Sequence, residues 1–525
     1  MQSFVPFVSI MDLPVFVRFV VKFVKHQPKM KKITITVLLA IATLSSMAQF
    51  KISGHIDHIS RPDSIILNLP YVYGYYRENN QTIPVDAKGN FSFTVPLREQ
   101  KFATIDWQNK EISILMTPGK SLLLTLDTGR QFKKFAGTAG IENDLLHQAK
   151  LHDIAFFMQG DRTNNKYGLL NAAEMEAQVV KPWLKMRDDM ITKINASALP
   201  TQTKTLIASE VKYFHYAILS DFGRVMIPVD MKKVDDFILS VFDGTTPQAD
   251  VFPAGPMYYY FHKAYLNYTE TKAVAKYGQK DPRAFLEIYK MPLDSAKVLV
   301  NAKGKPYINW ILVKNNADPK VAEQYLAQAI FTQIHDKNIN FAETLMSELE
   351  KTFPQSVHKQ FLQNKITGLN ALYLANKNNE SIQVFKGYEK VKSIYNIVST
   401  LKGKVVYLDI WGTWCGPCKE EIAYLPKLKK HFEGKDVVYL YLDMDDDEKD
   451  EAWKQFIRVN GMTGIHIRKN GKDVQAFWAE LQADENKRGY YPTYFIFNKD
   501  GKLVQPNAER PSAEDALYKQ LEKYL

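Results

Sequence analysis

Two cysteines occur in the 525 residues, and both stand in Trp414-Cys415-Gly416-Pro417-Cys418-Lys419. The preceding run, Val405-Val406-Tyr407-Leu408-Asp409-Ile410, is apolar at every position but one and reads as a buried strand. The following stretch, Glu420 to Leu428, has helical patterning. A strand that feeds two thiols onto the first turn of a helix demands an α/β layer arrangement around that helix. It also puts the two sulfurs three residues apart, the spacing of a redox dithiol. No cysteine remains for a structural staple.

The thiolate is the attacking species, so one cysteine needs its pKa lowered from about 8.5. Cys415 falls at the helix N-terminus, where unpaired N–H groups and the helix dipole favour negative charge. Cys418 lies a turn deeper and is expected to be the more buried. On this reading Cys415 is the nucleophile and Cys418 resolves the mixed disulfide. Pro417 sets φ just inside the helix, and Gly416 leaves the approach to the sulfur open. A half zinc site and an inert core pair are the alternatives; zinc lacks two further ligands at usable spacing. Asp409 is an ionisable residue inside an apolar run. It needs a task or a partner to offset its burial, and a raised pKa would suit a proton shuttle.

Length predicts several domains. Residues 1–48 read as a signal region. Lys31 and Lys32 precede an apolar run from Ile33 to Leu44, and Ser46 and Ala48 occupy the −3 and −1 places of a cleavable site, with cutting expected after Ala48. Met30 reads as the initiator and residues 1–29 as an upstream extension; a basic amphipathic membrane-surface segment is the rival. No cysteine follows the site, so no lipid anchor on an N-terminal cysteine is expected. Six Lys/Arg against one Asp in this region leave +5 there and +6 of the net +11 elsewhere. The remainder carries no basic stripe of the nucleic-acid kind.

Residues 49–138 alternate with period two, as in Phe50–Ile56 and Phe91–Val95, and predict a small antiparallel β sandwich or barrel. The run Tyr71-Val72-Tyr73-Gly74-Tyr75-Tyr76 reads as one of its strands, with an aromatic binding platform as the alternative. Residues 139–379 switch to helical period, with Phe341, Leu345 and Leu349 on one stripe and prolines cutting the region into helix lengths. Met257–His262 reads as helical core. His147, His152, His215, His262 and His335 show no metal-ligand spacing, and no Walker or GxSxG motif occurs. No metal or bound cofactor is expected. Residues 380–525 alternate strands and helices and end in a hairpin, Tyr494–Val504, and a closing helix. Within them Asp443–Asp450 is expected to cap the next helix, and Val459–Arg488 to be an insertion near the active face.

The segment Trp414–Lys419, with Gly403–Thr413 before it, resembles the thioredoxin superfamily and is similar to its exported TlpA/ResA-like branch. The resemblance covers residues 380–525 and implies a thioredoxin-like fold and thiol–disulfide oxidoreductase activity. It implies that Asp409 exchanges a proton with the resolving thiol. Tyr491-Pro492-Thr493 matches the cis-proline loop, which implies that Pro492 lies against the dithiol while Tyr491, Thr493 and Trp414 contact substrate. Strand Val437–Leu442 departs from the pattern, carrying tyrosines where a lysine partners the acid. The implied role is reduction of disulfides in exported proteins of the periplasm, with a membrane thiol transporter as electron donor. A disulfide isomerase, or an envelope scaffold with an accessory thioredoxin domain, are the competing roles.

Overall fold

The computed structural model describes residues 48–525 apart from 60–62, 77–78, 130, 229 and 248–250. The signal region therefore lies outside the described residues, save Ala48, which opens the first strand. Two compact units emerge. One holds the chain up to Pro70 with Gly74–Val234 and Asp250–His262; the other holds Tyr71–Tyr73, Asp235–Ala249 and Lys263–Leu525. Secondary structure changes character at other places, from strands to helices after Ala136 and back to strands at Ile382.

In the first unit, eight strands form two four-stranded sheets. They are β1 (Ala48–Asp57), β2 (Asp63–Asn68), β3 (Asn80–Val85), β4 (Asn90–Leu97), β5 (Lys101–Trp107), β6 (Lys110–Met116), β7 (Ser121–Asp127) and β8 (Phe132–Ala136). The strand orders are β4-β1-β7-β8 and β3-β2-β5-β6. Phe50, Ile52, Leu67, Ile105, Ile114 and Leu124 share one core drawn from both sheets, as the period-two alternation requires. The expected antiparallel arrangement fails at one pairing: β1 and β7 run parallel, with Ile52 opposite Leu122. Helices α1 (Gly140–Gln148), α2 (Lys181–Ala196) and α3 (Thr201–Asp221) follow in the first unit, whereas α4 (Met231–Phe242) and α5 (Pro256–Tyr277) are each divided between the two units. Tyr258, Phe261 and His262 are buried in α5, so the most aromatic stretch of the helical region is core.

The expected strand at Tyr71–Tyr76 is absent. Tyr71 stacks between Phe331 and Phe361, at 4.7 and 4.8 Å between ring centroids, and its hydroxyl hydrogen-bonds His358 Nδ1 at 2.9 Å. The backbone N–H groups of Val72 and Tyr73 donate to the Gln328 side chain instead of to a ladder. A buried side-chain acceptor and three aromatic partners outcompete strand propensity here.

The second unit continues with α6 (Pro282–Tyr289), α7 (Leu293–Lys303), α8 (Lys305–Asn316), α9 (Pro319–His335), α10 (Ile339–Thr352) and α11 (Lys359–Asn376). Trp310, Leu326, Leu345, Leu349 and Leu362 fill their common core. Its C-terminal part is a six-stranded sheet in the order β14-β13-β10-β11-β12-β9. The strands are β9 (Ile382–Val384), β10 (Val405–Trp411), β11 (Val437–Asp443), β12 (Gly464–Arg468), β13 (Thr493–Phe497) and β14 (Leu503–Gln505). Helices α12 (Gly416–Ile422), α13 (Leu425–His431), α14 (Asp450–Val459), α15 (Val474–Leu481) and α16 (Asp515–Glu522) complete it. Strand β12 corrects the expected insertion: it pairs with β11 on one side and β9 on the other, inside the sheet. Its glycine, histidine and arginine hid it from a pattern search. No helix among the described residues is long and apolar enough to cross a membrane.

Candidate functional site

Strand β10 is buried at all seven positions because neighbours flank both edges and both faces are covered. Val406, Leu408 and Ile410 enter the core shared with α15, whereas Val405, Tyr407 and Trp411 enter the core that contains Cys415 and Cys418. Side chains alternate along a strand, so Asp409 belongs to the cysteine face. Its neighbours across the ladder are Tyr441 on β11 and Tyr494 on β13.

Past Trp411 the chain turns, with the Cys415 N–H donating to the Gly412 carbonyl at 3.0 Å, and Cys415 becomes the N-cap of α12. The Cys418 N–H points at Cys415 Sγ from 3.2 Å. The sulfur thus takes the place of a capping oxygen, and the same N–H would stabilise a thiolate. Pro417 occupies the first turn, and a side chain at Gly416 would meet nothing within 4 Å. Cys415 and Cys418 form a disulfide. They are 4% and 3% exposed, so the expected difference in burial between them does not exist in this oxidised form.

Asp409 is buried, and its Oδ1 finds no hydrogen-bond partner. Desolvation, and then the charge of Glu421, push its pKa well above the ordinary carboxylate value. Glu421, three residues beyond Cys418 on the same helix face, is itself buried. Its carboxylate accepts from the Ser512 N–H at 2.8 Å and the Ser512 hydroxyl at 2.9 Å, with Arg510 at 3.7 Å. Sequence reading missed this second acid; its only signal was the i, i+3 spacing from Cys418. Around the pair stand Tyr407, Tyr441 and Tyr494, whose hydroxyls burial drives well above their usual pKa.

The Tyr491–Pro492 bond is cis. Thr493 pairs with Ile410 at the end of β10, which brings this loop beside the start of the Gly412–Cys415 turn. Tyr491 accepts from the Trp478 indole N–H at 3.1 Å, and its ring meets Trp414 edge-on at 5.6 Å. Trp414 is half exposed, and Tyr490 beside the cis-proline loop is exposed as well. Every sequence-predicted site residue therefore converges on one end of the sheet.

The acidic run behaves differently from a helix cap. Asp443 and Asp445 are buried, burial raises both pKa values, and Asp445 accepts from the Thr413 hydroxyl in the dithiol turn. Arg468 on β12 binds the Asp445 carbonyl, Asp447 and Asp450. Only Asp450 and Glu451 lie in the first turn of α14. Lys429 on α13 covers the rings of Tyr439 and Tyr441 at 5.2 and 5.3 Å and donates to the Thr463 carbonyl. Desolvation lowers its pKa to about 7. A lysine thus does stand on the tyrosine strand, but it is supplied by a helix.

Residues 377–521 match the Redoxin family model. The thiol-disulfide oxidoreductase ResA of Bacillus thuringiensis (strain Al Hakam) is 36% identical over 126 residues, 24% of this chain and 64% of that relative. ResA of Bacillus subtilis (strain 168) is 32% identical over 108 residues, 21% of this chain and 55% of its own length. Among solved structures, the thioredoxin domain of a thiol-disulfide oxidoreductase from Bacteroides vulgatus is 25% identical. That match covers 24% of this chain and 82% of that one, with a TM-score of 0.21. The chain thus spans less than two thirds of the two ResA relatives, and the family model falls in its C-terminal part.

Proposed function

We propose that this protein, whose C-terminal region belongs to the thioredoxin superfamily in its TlpA/ResA-like branch, is a periplasmic thiol–disulfide oxidoreductase that reduces disulfides of exported proteins. The observation that carries the reading is the Cys415–Cys418 disulfide closed across the first turn of α12, on the sheet face that also holds buried Asp409. A disulfide spanning one helical turn constrains little of the unfolded chain, so stapling is a poor account of it.

In the reduced protein the Cys415 thiolate attacks a substrate disulfide, forms a mixed disulfide and expels one substrate thiolate. In the fraction of molecules whose Asp409 is ionised, a fraction that grows with pH, the carboxylate takes the Cys418 proton. The Cys418 thiolate then attacks Cys415 Sγ, closes the intramolecular disulfide and releases the second substrate thiolate. Two electrons pass from the dithiol to the substrate, and the membrane thiol transporter expected as donor restores them. Trp414, Tyr491 and Thr493 form the surface on which the substrate chain lies, and Pro492 holds that surface beside the dithiol. The lysine-initiated apolar run ahead of Gln49 supports export. Gly-Pro between the cysteines, with no histidine to stabilise the thiolate further, supports a reducing direction.

The test is the equilibrium of the purified protein with reduced and oxidised glutathione. A reductant holds its disulfide closed until the buffer is strongly reducing. A dithiol that opens as readily as that of a strong periplasmic oxidant would reject the assigned direction.

A further inference from the structure

Lys419 follows the second cysteine directly, and its ammonium is not left to solvent. Its Nζ lies 2.8 Å from Asp336 Oδ1, with the lysine side chain 16% and the aspartate 41% exposed. Asp336 lies 83 residues upstream, outside the region that matches the family model, at the end of α9 in the helical part of the same unit.

The acid is held in place rather than reaching from a loose loop. Its N–H donates to the Thr332 carbonyl, and Lys337 next to it adopts φ of 59° before α10 begins. At the start of α10, the Ile339 N–H donates to the Gln455 side chain of α14 at 3.1 Å. At the end of α11, the Asn376 carbonyl accepts from Arg458 at 2.8 Å. Val459 of α14 enters the helical core beside Leu345 and Leu349. Three attachments therefore fix the helical layer to the helix that follows β11.

We propose that Asp336 is a positioning residue for the dithiol: through Lys419 it fixes the charge at the cysteine helix and thereby sets the thiolate stability of Cys415. This rests on the thiol–disulfide reading above. Lys419 stands four residues, one helical turn, beyond Cys415, so its ammonium is a cation that would favour the thiolate, and the Asp336 carboxylate offsets that charge. The helical region thus tunes the dithiol toward a higher Cys415 pKa and a more reducing pair. Other charged groups on these elements are Asp409 from β10, Glu420 and Glu421 on α12, Arg510 beside Glu421, Asp445, which accepts from Thr413 in the dithiol turn, and His335 and Lys337, which flank Asp336; the phenols of Tyr407, Tyr441, Tyr491 and Tyr494 belong to or pack against the core that holds the cysteines.

A double-mutant cycle on the full-length protein tests the proposal. Cys415 pKa is read from the pH dependence of alkylation of the reduced protein, and the redox equilibrium from glutathione buffers. Asp336→Asn frees the lysine and should increase the Cys415 thiolate constant about two- to fivefold, the range of a partly exposed ion pair. The dithiol becomes more oxidising by the same sense. Lys419→Gln leaves the acid uncompensated and should move both quantities the opposite way. The double variant should return close to the parent. Singles that shift in the same direction, or an Asp336→Asn protein with an unchanged Cys415 pKa, overturn the proposal. A merely structural role would change unfolding without this alternation of sign. Failure of the underlying reading looks different, because the parent protein itself would then show no exchange that depends on Cys415.

Discussion

Replacing Asp409 by Asn isolates the electrostatic cost built into the site. In the oxidised protein the carboxyl is buried, one of its oxygens has no partner, and its pKa stands well above that of a free Asp. In the unfolded chain the same group ionises near 3.8. Above that value the native state holds a proton the unfolded state has lost, so stability falls as pH rises through the native pKa. One proton of difference is worth about 1.4 kcal/mol per pH unit. Between pH 5 and pH 7 the cost therefore reaches at most about 2.7 kcal/mol, a measurable share of a stability of about 5–15 kcal/mol. Asn has nearly the same volume and no charge to bury. The Asp409→Asn protein should be the more stable at pH 7, by about 1–3 kcal/mol, and its advantage should shrink toward pH 4. Urea unfolding at several pH values, followed by tryptophan emission, reads this out. Trp310, Trp411, Trp414, Trp453 and Trp478 all lie in the second unit. Subtracting the parent curve cancels Asp443, Asp445 and His466, which titrate alike in both proteins. A variant of equal or lower stability at pH 7, or a difference that does not vary with pH, would refute the reasoning. The same variant should slow disulfide closure, because Cys418 loses its proton acceptor.

Three further outcomes follow from the structure. Glu421→Gln removes the charge that, after desolvation, raises the Asp409 pKa, so the pH profile of exchange should move to lower pH while the Ser512 contact is kept; an unmoved profile contradicts the coupling. Lys429 is shifted down to about 7 from 10.5, so the unfolded chain binds the extra proton and parent stability should rise between pH 7 and pH 10. Lys429→Met should abolish that rise, as thermal unfolding across the range will show. Gly464 adopts φ of +130° and a Cβ there would sit 2.6 Å from the Tyr439 carbonyl oxygen; Gly464→Ala should cost about 1–3 kcal/mol of unfolding free energy by detaching β12 from β11.

What could be read in the sequence follows the strength of local signals. Strand β10 was legible because burial on both faces leaves an unbroken apolar run, and the cysteines at its end announce the helix. Asp409 stood out for the same reason, as a carboxyl where only apolar residues fit. Strand β12 was not legible, since Gly464, His466 and Arg468 satisfy needs that arise only in three dimensions. His466 stacks on Tyr441 and Arg468 gathers three acceptor groups from the acidic run. Tyr71 was misread because its partners, Phe331, His358 and Phe361, lie more than 250 residues away. Asp336 carried no signal at all: an exposed-looking acid at a helix end matters only because the fold delivers it to Lys419.

The central claim is that Cys415 is the attacking thiol of a working dithiol. Its most direct test is trapping on a disulfide-bearing protein substrate. Reduced Cys418→Ser protein should accumulate a stable mixed disulfide through Cys415, identifiable by mass and released by reductant. Cys415→Ser should form none and lose exchange altogether. A Cys415→Ser protein that still reduces disulfides at the parent rate, or a Cys418→Ser protein that traps nothing, would contradict the account and leave the dithiol as an accessory to the upstream regions.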